Sequence, residues 1–324
     1  MQFQLSIDLP KLPISISYQD KILLIGSCFT EHISERLSVH KFMTCSNPHG
    51  ILFNPLSVAK SLESYVDGKM YVEDELFYLN ELWNSWDHHT RFSDVAKEGA
   101  LTKINDSQQE ASAFIKDANW VMITLGSAFQ YYLKEKNFAV ANNHRAPAQW
   151  FEKRLLTIEE IIAALSQTIQ KIQSINPQVK FLFTISPVRH IRDGVVDNNR
   201  SKARLIEAVH LLCHSFENAH YFPAYELVID VLRDYRFYDV DMVHPNYPAT
   251  QFVWEHFVAT CIDETSKEIM EHVLDIITAR NHITRFPNTD AHRKFLATYK
   301  SKTETLMTMF PFLNLNDELI YFSA

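Results

Sequence analysis

No apolar run in this 324-residue chain is long enough to span a membrane. The opening stretch MQFQLSIDLPKLPISIS has an early acid, two prolines and no apolar h-region. Neither a signal peptide nor a membrane anchor is expected there, and a cytoplasmic location is the expectation. The four cysteines, Cys28, Cys45, Cys213 and Cys261, show no C-x-x-C spacing, which suits free thiols in a reducing compartment better than a disulfide framework. Basic residues are outnumbered, 31 Lys and Arg against 39 Asp and Glu for a net charge of -8, and form no stripe. A nucleic-acid backbone is therefore not expected as the partner. Internal repeats and low-complexity tracts are missing, and Asp87, His88 and His144 have no recognised zinc spacing, so neither metal nor cofactor is expected.

What the chain does have is apolar bulk. At 46% apolar and 12% aromatic residues it fills one large domain, or one domain with an appendage. Continuous rather than alternating apolar runs recur at KILLIGS (21–27), WVMITLGS (120–127), VKFLFTIS (179–186) and, less cleanly, HYFPAYELVI (220–229). Such runs imply strands covered on both faces. The short segment HKFMTCSNP (40–48), closed by Asn-Pro, adds another and makes about five.

Helical patterns fill the intervals. Thr157 and Glu160 form a capping box ahead of Ile158, Ile161, Ile162, Leu165, Ile169 and Ile172, and Asn176-Pro177 ends that helix. Leu205, Ile206, Val209, Leu212, Cys213 and Phe216 share a face, and another helix begins near Pro248. Helices alternating with buried strands predict right-handed crossovers and an α/β/α three-layer sandwich. Residues 60–118 are polar, aromatic and poorly periodic, and are expected to form an insertion within a 1–262 domain. Residues 263–324 are expected to form a helical C-terminal extension, packed on that domain or appended to it.

In an open parallel sheet, ligands bind at the carboxyl ends of the strands. Ser27 follows the first predicted strand at a strand-to-helix turn, where its hydroxyl faces the rim and helix amino-terminal N–H groups stabilise negative charge. An N-cap serine is the competing explanation. Cys28 beside it is a candidate thiol nucleophile or a small buried residue. Asp241 stands three residues before His244 in DMVHPN, the spacing of a base and its orienting carboxylate, or of two solvated loop residues. Trp83 and Trp86, with Asp87, His88 and His89, are candidates to line a pocket for a sugar-like substrate, or a loop with ordinary aromatic packing. His144, Arg189 and His190 complete the expected pocket, Arg189 and His190 as a site for an anionic group or simply as the end of a strand.

The order of these blocks resembles the GSCFA family, which belongs with the SGNH/GDSL hydrolases. Its motif stands here as Gly26, Ser27, Cys28 and Phe29, with Thr30 in place of the final alanine. The resemblance extends over about residues 21–260 through LNELWNSWDHHTRFS, TLGSAFQYY, SPVRHIRDG and DYRFYDVDMVHPN. It implies a flavodoxin-like sheet and an acyl-ester hydrolase with Ser27 as nucleophile, His244 as base and then acid, and Asp241 orienting it. The substrate so implied is a small-molecule or carbohydrate ester; a weak or inactive binding protein is the alternative. Ser27 and Gly50 would give oxyanion N–H groups. The third block reads Gly126, Ser127, Ala128, Phe129, without the superfamily's asparagine. Asn54, then Ser127, then Asn143 or His144, are the candidate replacements.

Overall fold

The computed structural model describes residues 5–323, so the first four residues of the opening stretch lie outside it. The chain enters through β1 (Lys21–Gly26), turns at Ser27 into α1 (Cys28–Val39) and returns as β2 (Met43–Ser46). After α2 (Pro55–Asp67) come the antiparallel hairpin β3 (Leu76–Leu79) and β4 (Leu82–Ser85), and then α3 (Lys97–Phe114). Next is β5 (Trp120–Leu125), followed by β6 (Phe129–Leu133), β7 (Phe138–Val140) and β8 (Phe151–Leu155), which form a small antiparallel sheet in the order β7-β6-β8. The chain continues with α4 (Ile158–Ile175), β9 (Lys180–Ile185), α5 (Val195–Ser215) and β10 (Ala219–Tyr221). It ends in helices: α6 (Ala224–Glu226), α7 (Tyr247–Cys261), α8 (Glu264–Arg280), α9 (Asp290–Met309) and α10 (Asn316–Ser323).

The main sheet is parallel throughout, ordered β10-β9-β5-β1-β2, which is the expected flavodoxin-like arrangement. Strand periodicity divides its side chains between two cores. Ile22, Leu24, Trp120 and Met122 face α1, α7 and α8, while Leu23, Ile25, Val121 and Ile123 face α2, α4 and α5. Both faces are covered, which is why these strands read as unbroken apolar runs. The capping box is present: Glu160 N–H donates to Thr157 Oγ1 at 3.2 Å, and Thr157 N–H to Glu160 Oε2 at 2.7 Å.

The predicted fifth strand is much shorter than its apolar run. Pairing stops at Tyr221, and beyond Pro223 the chain coils through α6 into a π-helical segment, Leu227–Leu232. Leu227, Val228, Val231 and Leu232 are all buried, at a spacing that is helical. Residues 60–118 hold more regular structure than their periodicity suggests. The buried face of α3 is Ala100, Ile104, Gln108 and Ala111, a stripe with a single large apolar side chain and hence little pattern to read. Among the described residues no helix is long and apolar enough to cross a membrane.

Candidate active site

The sheet order reverses between β1 and β5: from β1 the chain moves outward to β2, then returns to the other side of β1. The two strands stay paired to their carboxyl ends, and the connections that leave them run to opposite sides of the sheet, which opens a crevice there. Gly26 ends β1 with φ of 145°, and a Cβ there would stand 2.1 Å from Thr124 O, so the residue before the serine must be glycine. Gly26 N–H donates to Asn47 Oδ1 at 2.8 Å, which ties the end of β1 to the turn after β2.

Ser27 occupies the N-cap position of α1, but its side chain does not cap. The residue is 1% exposed, and Oγ is buried without a hydrogen-bond partner. The competing N-cap explanation therefore does not hold. Its own N–H donates to Thr124 O at 3.1 Å, continuing the sheet ladder.

Asp241 and His244 sit in the loop before α7. Nδ1 of His244 lies 2.6 Å from Asp241 Oδ2, and Asp241 Oδ1 accepts the N–H groups of Val243 and His244 at 2.9 and 3.0 Å. Those bonds, led by the His244 N–H and imidazole, pull the Asp241 carboxyl down to about 2. An ionised carboxylate on Nδ1 leaves Nε2 as the imidazole's acceptor. Arg189 N–H donates to Val243 O at 3.2 Å, joining this loop to the one after β9. Asn246 holds it from the other side: Oδ1 caps α7 through Ala249 N–H at 3.2 Å, and Nδ2 donates to Arg236 O at 2.8 Å and Tyr238 O at 3.3 Å.

A cleft of about 720 Å³ opens over this rim, and Cys28, Asn54, Ser127, His190, Asp241 and His244 are among its walls. Its aromatic surfaces are Phe53, Phe129 and Tyr131. Arg189 and His190 are among the residues that line it. Trp86, His88, His89 and His144 are not part of its lining, which corrects that part of the expected pocket. Trp86 is stacked on Phe77 at 3.6 Å between centroids. His88 is buried and stacked on His49 at 4.0 Å. The His89 N–H donates to His49 O at 2.8 Å. His144 is buried, with Nε2 2.7 Å from Ser85 O. His88 and His144 are thus buried while Trp86 and His89 are partly exposed, an arrangement nearer to the loop with ordinary aromatic packing than to a cleft lining.

The expected oxyanion donors also change, beginning with the Ser27 N–H, which Thr124 O already accepts. Gly50 N–H closes a turn onto Asn47 O at 2.7 Å, and a Cβ at Gly50 would collide with His89. Gly126 and Ser127 N–H both donate to Phe53 O, at 2.8 and 2.9 Å, and Ser127 Oγ accepts Phe129 N–H at 3.1 Å. Asn54 differs from these. Its Oδ1 caps α2 by accepting Ser57 N–H at 2.9 Å, which fixes the amide orientation and leaves the NH₂ group to the cleft it lines. Burial, and after it the charge of Glu31, raises the Cys28 thiol above its ordinary value, the wrong direction for a thiolate nucleophile.

Sequence reasoning missed the first turns of α5. Asn198, Ser201 and Lys202 are buried on one face. Asn198 Oδ1 accepts His190 N–H at 2.8 Å, Ser201 Oγ accepts Ala128 N–H at 2.7 Å, and Lys202 Nζ donates to Gly126 O at 2.7 Å and Ser186 O at 2.6 Å. The available signal was spacing: 198, 201 and 202 continue the apolar face that Leu205 begins.

The flavodoxin-like sheet thus carries Asp241 and His244 in the wall of the cleft, while Ser27, buried at the end of β1, is not among the residues that line it; its neighbours Cys28 and Asn54 are. The chain belongs to the GSCFA family, whose model matches residues 21–257, and a model described as the GSCFA domain protein C-terminal domain matches 273–324. No match is found among curated proteins. Solved structures to which the chain is similar include a family 3 carbohydrate esterase of Clostridium thermocellum, at 8% identity and a TM-score of 0.37 over 80% of this chain and 100% of that one. Others are a family 3 carbohydrate esterase from Talaromyces cellulolyticus (9%, 0.36, 79% and 99%) and an acetyl xylan esterase from Butyrivibrio proteoclasticus (10%, 0.36, 76% and 64%). Likeness at this level carries neither the fold nor the function, which rest on the geometry of the chain itself.

Proposed function

We propose that the protein is a serine hydrolase that cleaves a small acyl ester through an acyl-serine intermediate. One observation carries this reading: a serine at an N-cap position whose hydroxyl caps nothing and is buried without a partner, on the rim that also holds a formed aspartate-histidine pair. Leaving a buried hydroxyl unsatisfied costs about 1–3 kcal/mol, and a hydroxyl that caps nothing is free to react.

In this reading Ser27 Oγ attacks the ester carbonyl carbon and passes its proton to His244 Nε2. The imidazole then returns the proton to the departing alkoxide, and a water repeats the sequence to release the acid. Asp241 fixes the tautomer throughout. The Asn54 NH₂ and the amino-terminal amides of α1 receive the oxyanion in place of the absent asparagine. The His244 side chain is about half exposed and not bonded to Ser27, so substrate must draw its loop inward, as apo catalytic geometry often requires. The tryptophans that suggested a sugar lie outside the cleft, so the acyl and alcohol halves are assigned no finer than a small ester.

A fluorophosphonate probe tests the reading. The intact protein should label and hydrolyse p-nitrophenyl acetate, and Ser27→Ala should do neither. The gap between Ser27 and His244 favours one second reading, a binding protein with the same cleft. A folded wild-type protein that neither labels nor hydrolyses would select it.

A further inference from the structure

Lys202 is 1% exposed, and both of its hydrogen bonds go to backbone carbonyls rather than to a carboxylate. A lysine is almost never fully buried without an acidic partner, because stripping water from an ammonium is costly. The place where this cost is met is informative. Gly126 and Ser186 directly follow β5 and β9, so the ammonium ties together two strand ends at the edge where the cleft opens. The Gly126 backbone is thereby held on both sides of its Cα, its N–H on Phe53 O and its carbonyl on Lys202. Gly126 is also the wall that Ser27 meets. A Cβ built there would lie 3.3 Å from Ser27 Cβ and 3.3 Å from His190 Nε2.

We propose that Lys202, as an ammonium ion, is a positioning residue for the Ser27 reaction: it fixes the Gly126 wall against the nucleophile and places a buried positive charge beneath it. This rests on the serine-hydrolase reading above. Negative charge develops at Ser27 and its oxyanion only during reaction, so a fixed cation below lowers the barrier without tightening substrate binding. The ionisable groups facing Lys202 are Cys28 from α1, Arg189 from the loop after β9, and Tyr225 from α6, whose ring centroid is 5.9 Å from Nζ. Burial raises both the thiol and the phenol, so neither supplies a counter-charge near neutrality. Burial, the larger effect, outweighs the opposing Cys28 contribution and brings Lys202 down to about 7.

The test is the pH dependence of fluorophosphonate labelling and of ester hydrolysis, in the full-length wild type and in Lys202→Met, a neutral side chain of similar length. In the wild type the rate should fall as pH rises through about 7. In the variant kcat should be roughly tenfold lower or worse, with KM unchanged and that alkaline limb gone. A folded variant with wild-type kcat and the same pH profile overturns the proposal. Should Lys202→Met fail to fold, the wild-type profile decides: a rate that keeps rising above neutrality overturns it, and an alkaline limb absent from a Cys28→Ala control overturns it as well, by assigning the limb to the thiol. A wild type that never labels removes the serine-hydrolase reading, and this proposal with it.

Discussion

At the scale of single residues, the site depends on side chains that do two things at once. Asn54 is the clearest: its oxygen caps α2 while its NH₂ serves the cleft. Asn54→Asp separates the two roles. A carboxylate keeps the cap and suits a helix amino terminus, so stability should hold within about 0.5 kcal/mol, while loss of the donor should lower kcat by roughly a hundredfold. Equal urea midpoints with unequal kcat would bear this out; unchanged kcat would move the oxyanion elsewhere. Ser27, Asp241 and His244 stand out in the sequence as candidates because residue type and spacing single them out, and the Asp241–His244 pair is formed in the fold. The donors were not. Gly50 and Ser127 look available in a linear motif, and only the folded chain reveals that Asn47 O and Phe53 O already accept their N–H groups.

At the scale of elements, the apolar runs gave the central strands directly because both sheet faces are covered, and they failed where burial and strand pairing part company. HYFPAYELVI buries Phe222, Ala224, Leu227 and Val228, yet pairs only to Tyr221, since Pro223 has no N–H for a ladder. The small sheet of β6, β7 and β8 was missed for the opposite reason: its strands are half exposed and its turns are charged. The loop from Asp234 to Asn246, which carries the Asp241–His244 pair, is an element of this less legible kind, held by hydrogen bonds rather than by apolar burial. Asn246 supplies three of those bonds. Asn246→Ala should therefore cost about 1–2 kcal/mol through the lost α7 cap, and should also let the Asp241–His244 pair wander. Activity should then fall further than the loss of stability explains at temperatures where the variant remains fully folded. Circular dichroism melts read beside kcat at 25 °C, well below the transition, would check this, and full activity in a destabilised variant would count against it.

At the scale of the whole molecule, one core joins the sheet to the last helices. Leu24 and Trp120 share a cluster with Ile269 and Val273 of α8, Leu306 of α9, and Leu313 and Phe322 near the end of the chain. A buried carboxylate marks the seam. Glu318 of α10 has 0% side-chain exposure and pairs with Lys41, in the turn between α1 and β2, at 2.9 Å, and with Arg280 of α8 at 2.6 Å. Burial alone would raise its carboxyl, but hydrogen bonds from Lys41, from its own N–H and from Arg280 reverse that and leave it below the ordinary value of 4.5. Its folded-state pKa is thus depressed, so the stabilisation is present above the unfolded value and is lost as pH falls through the folded one. Glu318→Gln removes the charge at every pH. The variant should be less stable at neutral pH by roughly 2 kcal/mol, less than for a fully enclosed pair because Lys41 and Arg280 keep part of their hydration. Acidification should then narrow the gap, because the wild type loses by protonation what the variant never had. Urea midpoints of both proteins across a pH series would show the two converging below the ordinary carboxylate value. A gap that stayed constant into acid would mean that the seam is held by the shape of its apolar packing, with the carboxylate contributing little to it.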